Sequence, residues 1–256
     1  MFRLFASALV GRFVLALYGV VLLAVWFIAG QPVSLLRVFS ILSTTSLLYY
    51  GAVSIIFGLT WYNAPWRYAW RRWPMLRRKV YPDLNGLWVG KMKSNWPVIQ
   101  KLREAASSES ELDLTALDAV PLQDVDAVMQ IKAGLFGIRI HAQFGLSPPN
   151  QNHNTSSTLF VLPSKDAGKD MLCLSYIYEQ STPNPASTDE GVHYGAARVA
   201  YSMQGEKERL SGDYWTKRRW REGMNTAGNI SLERISDRHA HPNEDLWSAV
   251  NRLTSD

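Results

Sequence analysis

Two hydrophobic patterns divide the chain. Before residue 80, long apolar runs are broken only by isolated charges. After it, apolar and polar residues alternate with a period of two in short runs bounded by turn residues. That second pattern predicts β-strands with one face inward. Eight such runs occur, near Gly86–Trp96, Ala127–Lys132, Phe136–Phe144, Ser156–Leu162, Met171–Glu179, Tyr194–Met203, Arg209–Arg218 and Gly228–Arg234. Lys132-Ala-Gly134 and Gln204-Gly-Glu-Lys207 carry turn chemistry, and Ser147–Asn152 and Ser181–Pro185 form longer connections. Eight antiparallel strands without covering helices predict an up-and-down, lipocalin-like β-barrel, which leaves no sheet edge; a β-sandwich is the runner-up.

In the first half, no charge falls between Arg12 and Arg37 or between Arg37 and Arg67. A membrane-spanning helix needs roughly 17–25 apolar residues, so spans are predicted at about 13–30 and 38–62. The short turn Gln31-Pro-Val-Ser34 makes them an antiparallel hairpin. The first run ends Ala29-Gly-Gln-Pro32 and is followed by a second span, which argues against a cleaved signal peptide. The expected organisation is therefore membrane-anchored all-β. Residues 1–66 form a transmembrane hairpin and 67–80 a basic, aromatic juxtamembrane linker. Residues 81–236 form the barrel, with an insertion at 98–126, and 237–256 a polar tail. A short helix is expected at Ile99–Ala106 and another at Asp245–Leu253.

Charge refines this picture. Residues 1–80 hold nine Arg or Lys and no acidic residue, while the rest holds 18 basic and 22 acidic residues. The overall excess of +5 thus belongs to the flanks of the apolar runs and gives no reason to expect DNA or RNA as a partner. By the positive-inside rule, Arg3 and Arg12 at one end and Arg67–Lys79 at the other place both termini and the barrel in the cytoplasm. Trp61, Tyr62, Trp66, Tyr68, Trp70 and Trp73 read as an interfacial belt. The small and hydroxyl residues Ser40, Ser43, Thr44, Ser46, Gly51, Ser54 and Gly58 mark a face of the second span suited to self-association, or ordinary variation in such a helix.

Alternation also assigns inner faces. Trp88, Gly90, Met92, Ser94 and Trp96 face inward on the first strand, with Trp88 as a floor plug beneath an Arg such as Arg234. Leu210, Gly212, Tyr214, Thr216 and Arg218 face inward on the seventh. An inward Arg needs an anion, either a protein carboxylate or a ligand phosphate. Lys217-Arg-Arg-Trp-Arg221 supplies further cations near the rim. Trp96 and Tyr194 or Tyr214 are candidates to stack on bases, and Ser94, Ser156 and Thr158 add hydroxyls.

Enzyme signatures are absent. Ala167-Gly-Lys169 lacks the spacing of a phosphate-binding loop, and no Gly-x-Ser-x-Gly elbow, zinc-type Cys cluster or paired carboxylates occur. The five His are scattered, with His239-Ala-His241 in the tail. The one cysteine, Cys173, reads as a buried small apolar residue. No cofactor or metal is expected, and the chain reads as a binding protein rather than an enzyme.

Two apolar runs, then Tyr81-Pro-Asp-Leu-Asn-Gly-Leu-Trp88-Val-Gly90, Ser94-Asn-Trp96, His193-Tyr-Gly-Ala-Ala197 and Leu210-Ser-Gly-Asp-Tyr-Trp-Thr-Lys-Arg218, follow one another in order. Together they resemble the two-transmembrane β-barrel effectors, the SMODS-associated family of CBASS antiphage signalling. The resemblance runs from the first apolar run to about Arg234, and the insertion at 98–126 departs from the family's compact pattern. It implies that a partner nucleotidyltransferase makes a cyclic dinucleotide and that the barrel binds it. The effector then forms a homo-oligomer, disrupts the inner membrane and kills the infected cell. Carried onto this chain, it makes Arg218 and Thr216 the matching ligand-site candidates. Trp96, Tyr214, Ser156 and Thr158 come from the inner-face reading. The rival reading is a membrane-tethered, lipocalin-like carrier of a small apolar molecule, which requires a wholly apolar barrel interior; a third is a scaffold whose barrel is filled by its own side chains.

Overall fold

The computed structural model describes residues 7–29, 34–57, 65–73, 81–108, 114–134, 137–145, 154–166, 171–185, 187 and 189–255. They form two compact units. The N-terminal unit holds α1 (Ser7–Ala29), α2 (Leu35–Phe57) and α3 (Pro65–Arg72). α1 and α2 pack together, with the Tyr18 and Tyr49 rings edge to face at 5.3 Å.

Among the described residues no helix is long and apolar enough to cross a membrane. The expected transmembrane hairpin and the multi-pass inner-membrane placement are therefore not supported. A span takes about 20 apolar residues. In α1 the charge-free part begins only at Phe13, after Arg12. α2 starts at Leu35 and ends at Phe57, so it includes Arg37 and the hydroxyls of Ser40, Ser43, Thr44, Thr45 and Ser46. The turn at residues 31–33, Gly58, Trp61 and Tyr62, and the basic residues Arg77, Arg78 and Lys79 lie outside the described residues.

Two hydroxyls of α2 have local work. Thr45 donates to the Ile41 carbonyl at 2.7 Å and Ser43 to that of Ser40 at 3.0 Å, so both are satisfied within their own helix. The proposed headgroup belt also needs correction. Arg67 is 5 % exposed and donates from Nε to the buried Asp83 carboxylate at 3.0 Å, and Trp70 donates its indole N–H to the Tyr81 carbonyl at 2.7 Å. A buried carboxylate demands a cation, and Arg67 answers that demand in protein rather than at headgroups.

The second unit is a closed barrel of eight antiparallel strands in sequence order. They are β1 (Gly86–Ser94), β2 (Gln123–Ala133), β3 (Ile138–Phe144), β4 (Asn154–Asp166), β5 (Met171–Ser181), β6 (Val192–Gln204), β7 (Lys207–Lys217) and β8 (Ala227–Ser236). β8 pairs back onto β1, from Ser94 opposite Gly228 to Leu87 opposite Ser236. The 98–126 insertion takes in most of α4 (Trp96–Ser108), which begins two residues before it, α5 (Leu114–Asp118) and the start of β2. The β6–β7 hairpin turns at Gly205, whose φ of +64° suits glycine.

Side chains fill the barrel from its closed end. Trp88 is fully buried there, donates its indole N–H to the Leu84 carbonyl at 3.0 Å, and lies 5.9 Å beneath the Arg234 guanidinium. Arg234 is in turn neutralised by Glu208 at 3.0 Å. Above this floor sit Met92, Met129, Ile140, Tyr176, Tyr178, Tyr214 and Ile230, leaving a void of only about 10 Å³. Gly195 makes room for the Tyr178 ring, since a Cβ there would collide with the ring and with the Trp215 carbonyl.

The polar tail does more than its composition implied. α6 (Leu246–Ser255) closes over outward-facing Leu87, Val89 and Val128 with Ala240, Leu246, Trp247 and Ala249. Glu244 anchors it through two bonds to Arg252 at 2.9 and 2.7 Å. Trp247→Ala should destabilise the chain by about 3 kcal/mol, read as a lower denaturant midpoint with a reduced m-value if α6 undocks.

Candidate functional site

At the end opposite Trp88 the inner face turns polar and opens into a cavity of about 300 Å³. The strands converge on it from their mouth ends, with Ser94 of β1, Gln123 of β2, Asn154 of β4, Gln180 of β5, His193 of β6, and Tyr214 and Thr216 of β7, joined by Thr226 just before β8. Trp96 reaches it from the first turn of α4, which the Asn95 carbonyl begins by accepting from the Val98 and Ile99 amides. Arg218 follows directly on β7 and closes the ring of residues.

Arg218 is the centre of the cavity's charge. Its Cζ lies 5.2 Å from the Trp96 ring centroid, a cation–π distance, and its Nη1 donates to the Asp189 carboxylate at 3.1 Å. Both side chains are largely buried, at 14 % and 16 % exposure. Among the described residues the buried Nε has no hydrogen-bond partner, so the guanidinium keeps a donor unused within them. The neighbouring connections are tied together by Arg219, whose φ of +37° is left-handed. Its backbone N–H donates to Glu190 at 3.1 Å, its Nε to Glu222 at 2.9 Å, and its guanidinium also bonds the Ser187 carbonyl.

The other candidates divide. Tyr214 is buried, and burial pushes its phenol up while a hydrogen bond from Ser94 and the Arg218 charge pull it back. Thr216 lines the cavity but spends its hydroxyl on Thr226, the residue before β8. It bonds the Thr226 hydroxyl at 2.9 Å and the Thr226 carbonyl at 3.2 Å, and accepts from the Thr226 N–H at 3.0 Å. It holds the rim rather than offering a free group. Ser156 and Thr158 are not in the mouth and line the small deep void instead, with Thr158 bonded to the Ile140 amide at 2.9 Å. Tyr194 points outward and is 48 % exposed, so it cannot stack in the cavity. Met92 and Tyr214 line both spaces.

Sequence reasoning missed Asp189, Gln180, Asn154 and Gln123. Asp189 sits in a connection with no periodicity to reveal its direction. Gln180 continues the inward series Tyr176, Tyr178, and extending that alternation two residues would have found it.

His193 is 2 % exposed, and among the described residues its Nδ1 has no partner. Burial lowers its pKa most, Arg218 adds to the lowering, and Asp189 and Glu190 oppose it. It is neutral at pH 7 and able to offer one donor and one acceptor. Because the unfolded chain binds this proton more readily, stability is full above the unfolded pKa near 6.5 and falls as pH drops below it. Thermal unfolding between about pH 8 and 5 should show this loss, and His193→Gln should flatten that part of the profile; His141, also lowered by burial, leaves a remainder.

Comparison with known proteins adds one relative. No family model matches the chain, and no solved structure matches it. Over 207 residues, 80 % of this chain and 83 % of the relative, it is 27 % identical to CD-NTase-associated protein 15 of Escherichia albertii. The alignment is long enough to span more than the barrel alone. By sequence, then, the chain is similar over four fifths of its length to a CD-NTase-associated protein.

Proposed function

We propose that the barrel mouth is a receptor for a cyclic dinucleotide, and that the chain is a non-enzymatic effector of a CBASS antiphage system whose partner nucleotidyltransferase makes that ligand. The observation that carries this reading is Arg218, a guanidinium with an unused buried Nε–H, stacked on Trp96 and held by one carboxylate. A guanidinium matches a phosphodiester in charge and in the geometry of its donors. Trp96 and Tyr214 present aromatic faces to a base, while Gln180, Asn154, Gln123 and neutral His193 present donors and acceptors to its edge. The likeness to a CD-NTase-associated protein supports the same reading.

In this reading Asp189 stands where a phosphate would go. An arriving phosphodiester competes with its carboxylate for Arg218, and the exchange loosens the β5–β6 connection from the β7–β8 turn. Binding thereby becomes a change in how the rim is tied, which is the differential contact that a ligand-driven conformational change requires. The carrier alternative fares worse, because the deep interior is filled by Tyr and Met side chains and its void of about 10 Å³ holds about one water.

Calorimetric titration of the full chain with a panel of cyclic dinucleotides, with linear dinucleotides and a fatty acid as controls, tests the proposal. One cyclic dinucleotide should bind saturably. Arg218→Ala should weaken it roughly 10- to 100-fold, the range for a lost charge-assisted hydrogen bond. Arg218→Lys, which keeps charge but not the planar fork, should fall between. Uptake of the fatty acid with no response to any cyclic dinucleotide would overturn the reading. A companion titration on Asp189→Asn should show tighter binding, since the resident carboxylate no longer competes; weaker binding would make Asp189 a positioner of Arg218 instead.

A further inference from the structure

The outer wall of the barrel at β5, β6 and β7 carries an apolar and aromatic row. Ile177, Tyr194 and Trp215 are 48, 48 and 52 % exposed. The strand register sets them side by side. Ile177 lies opposite Ala196, and Ala196 opposite Trp215, in one row across three strands. One row nearer the mouth, Glu179 lies opposite Tyr194, and Tyr194 opposite Lys217. On the β1–β2 wall, by contrast, the outward apolar residues Leu87 and Val128 are covered by α6. Clustered large apolar groups on an uncovered wall mark contact surfaces more often than isolated ones do.

Charge identifies the occupant. Glu179 and Lys217 flank Tyr194 on opposite sides, both exposed, and neither has an ion pair among the described residues. Two strand spacings of about 4.8 Å separate their backbones. A dimer with two-fold symmetry presents the same patch from both copies, with each residue i meeting j and each j meeting i. When the axis runs along β6, β5 of one copy faces β7 of the other. Glu179 then meets the partner subunit's Lys217, and Ile177 meets the partner subunit's Trp215, while Tyr194 and Ala196 meet their own counterparts on the axis. Arg198, the next outward residue of β6, is already neutralised within its own copy by Asp166 at 3.6 Å and lies opposite Asp213. The wall is thus complementary to itself in both shape class and charge.

We propose that the β5–β6–β7 wall is the contact of a two-fold dimer of this chain, with the axis along β6 and Glu179–Lys217 pairs on both flanks. The side chains of this row point outward, while their chain neighbours Gln180, His193 and Arg218 line the mouth.

The test uses the full-length chain without ligand. In a Tyr194→Cys variant a short bis-maleimide should link two copies. Cys173 is 2 % exposed, out of the reagent's reach, and gives no background. Asp124→Cys on the opposite wall, at β2, is the control and should link several-fold less. In the Tyr194→Cys background, Glu179→Lys or Lys217→Glu alone should cut the linked fraction several-fold, because each sets like charges face to face. The two reversals together should restore it. Equal linking of the Tyr194→Cys and Asp124→Cys variants would overturn the proposal. So would single reversals that leave the yield unchanged, or a double reversal that fails to recover it. Circular dichroism confirms that the variants fold; the double reversal carries both substitutions, so its recovery also separates lost contact from lost structure.

Discussion

The pairing of β8 with β1 is the constraint on which the rest of this fold depends. Without it the eight strands would form an open sheet with two exposed edges, and the inward side chains would have no enclosed space to fill. With it, alternation along every strand acquires a common meaning, inside or outside. The closure also brings Ser94 and Thr226, residues far apart in the chain, to the same rim. Arg218 and Asp189 meet there because β6 and β7 are locked in register below them.

The interior is graded along the barrel axis. Trp88, under Arg234 and Glu208, makes the floor; Tyr and Met side chains fill the middle; polar groups ring the mouth. This grading lets one small domain hold both a dry core and a charged, water-facing cavity. A charge is costly to bury unless paired, and the barrel pairs its inward arginines with carboxylates, Arg234 with Glu208 and Arg218 with Asp189. The difference between the two is location. Arg234 lies at the closed end on a Trp that plugs it, whereas Arg218 lies at the open end with a donor to spare, where a competing anion has access.

Much of the barrel was legible in the chain. Period-two alternation located all eight strands, with the largest boundary errors at β2 and β4. It placed Trp88, Met92, Ser94, Tyr214 and Thr216 on the inner face because pleating forces successive side chains to opposite sides. It also foresaw the Trp88–Arg234 contact. What misled was apolar content without a three-dimensional frame. Runs read as membrane spans fall in helices that take in Arg12, Arg37 and a series of hydroxyls, and Arg67 and Trp70 bond to Asp83 and Tyr81.

The amino-acid sequence by itself determined which residues alternate, where turns fall and which inward face turns polar, since these follow from local backbone geometry. Only the tertiary structure decided depth and partnership. It sent Ser156 and Thr158 below the cavity, occupied the Thr216 hydroxyl with Thr226, and delivered Asp189 from an irregular connection to Arg218. Those outcomes depend on register between strands and on segments distant in the chain. No periodicity within a single strand encodes such relations; they exist only once the sheet has closed.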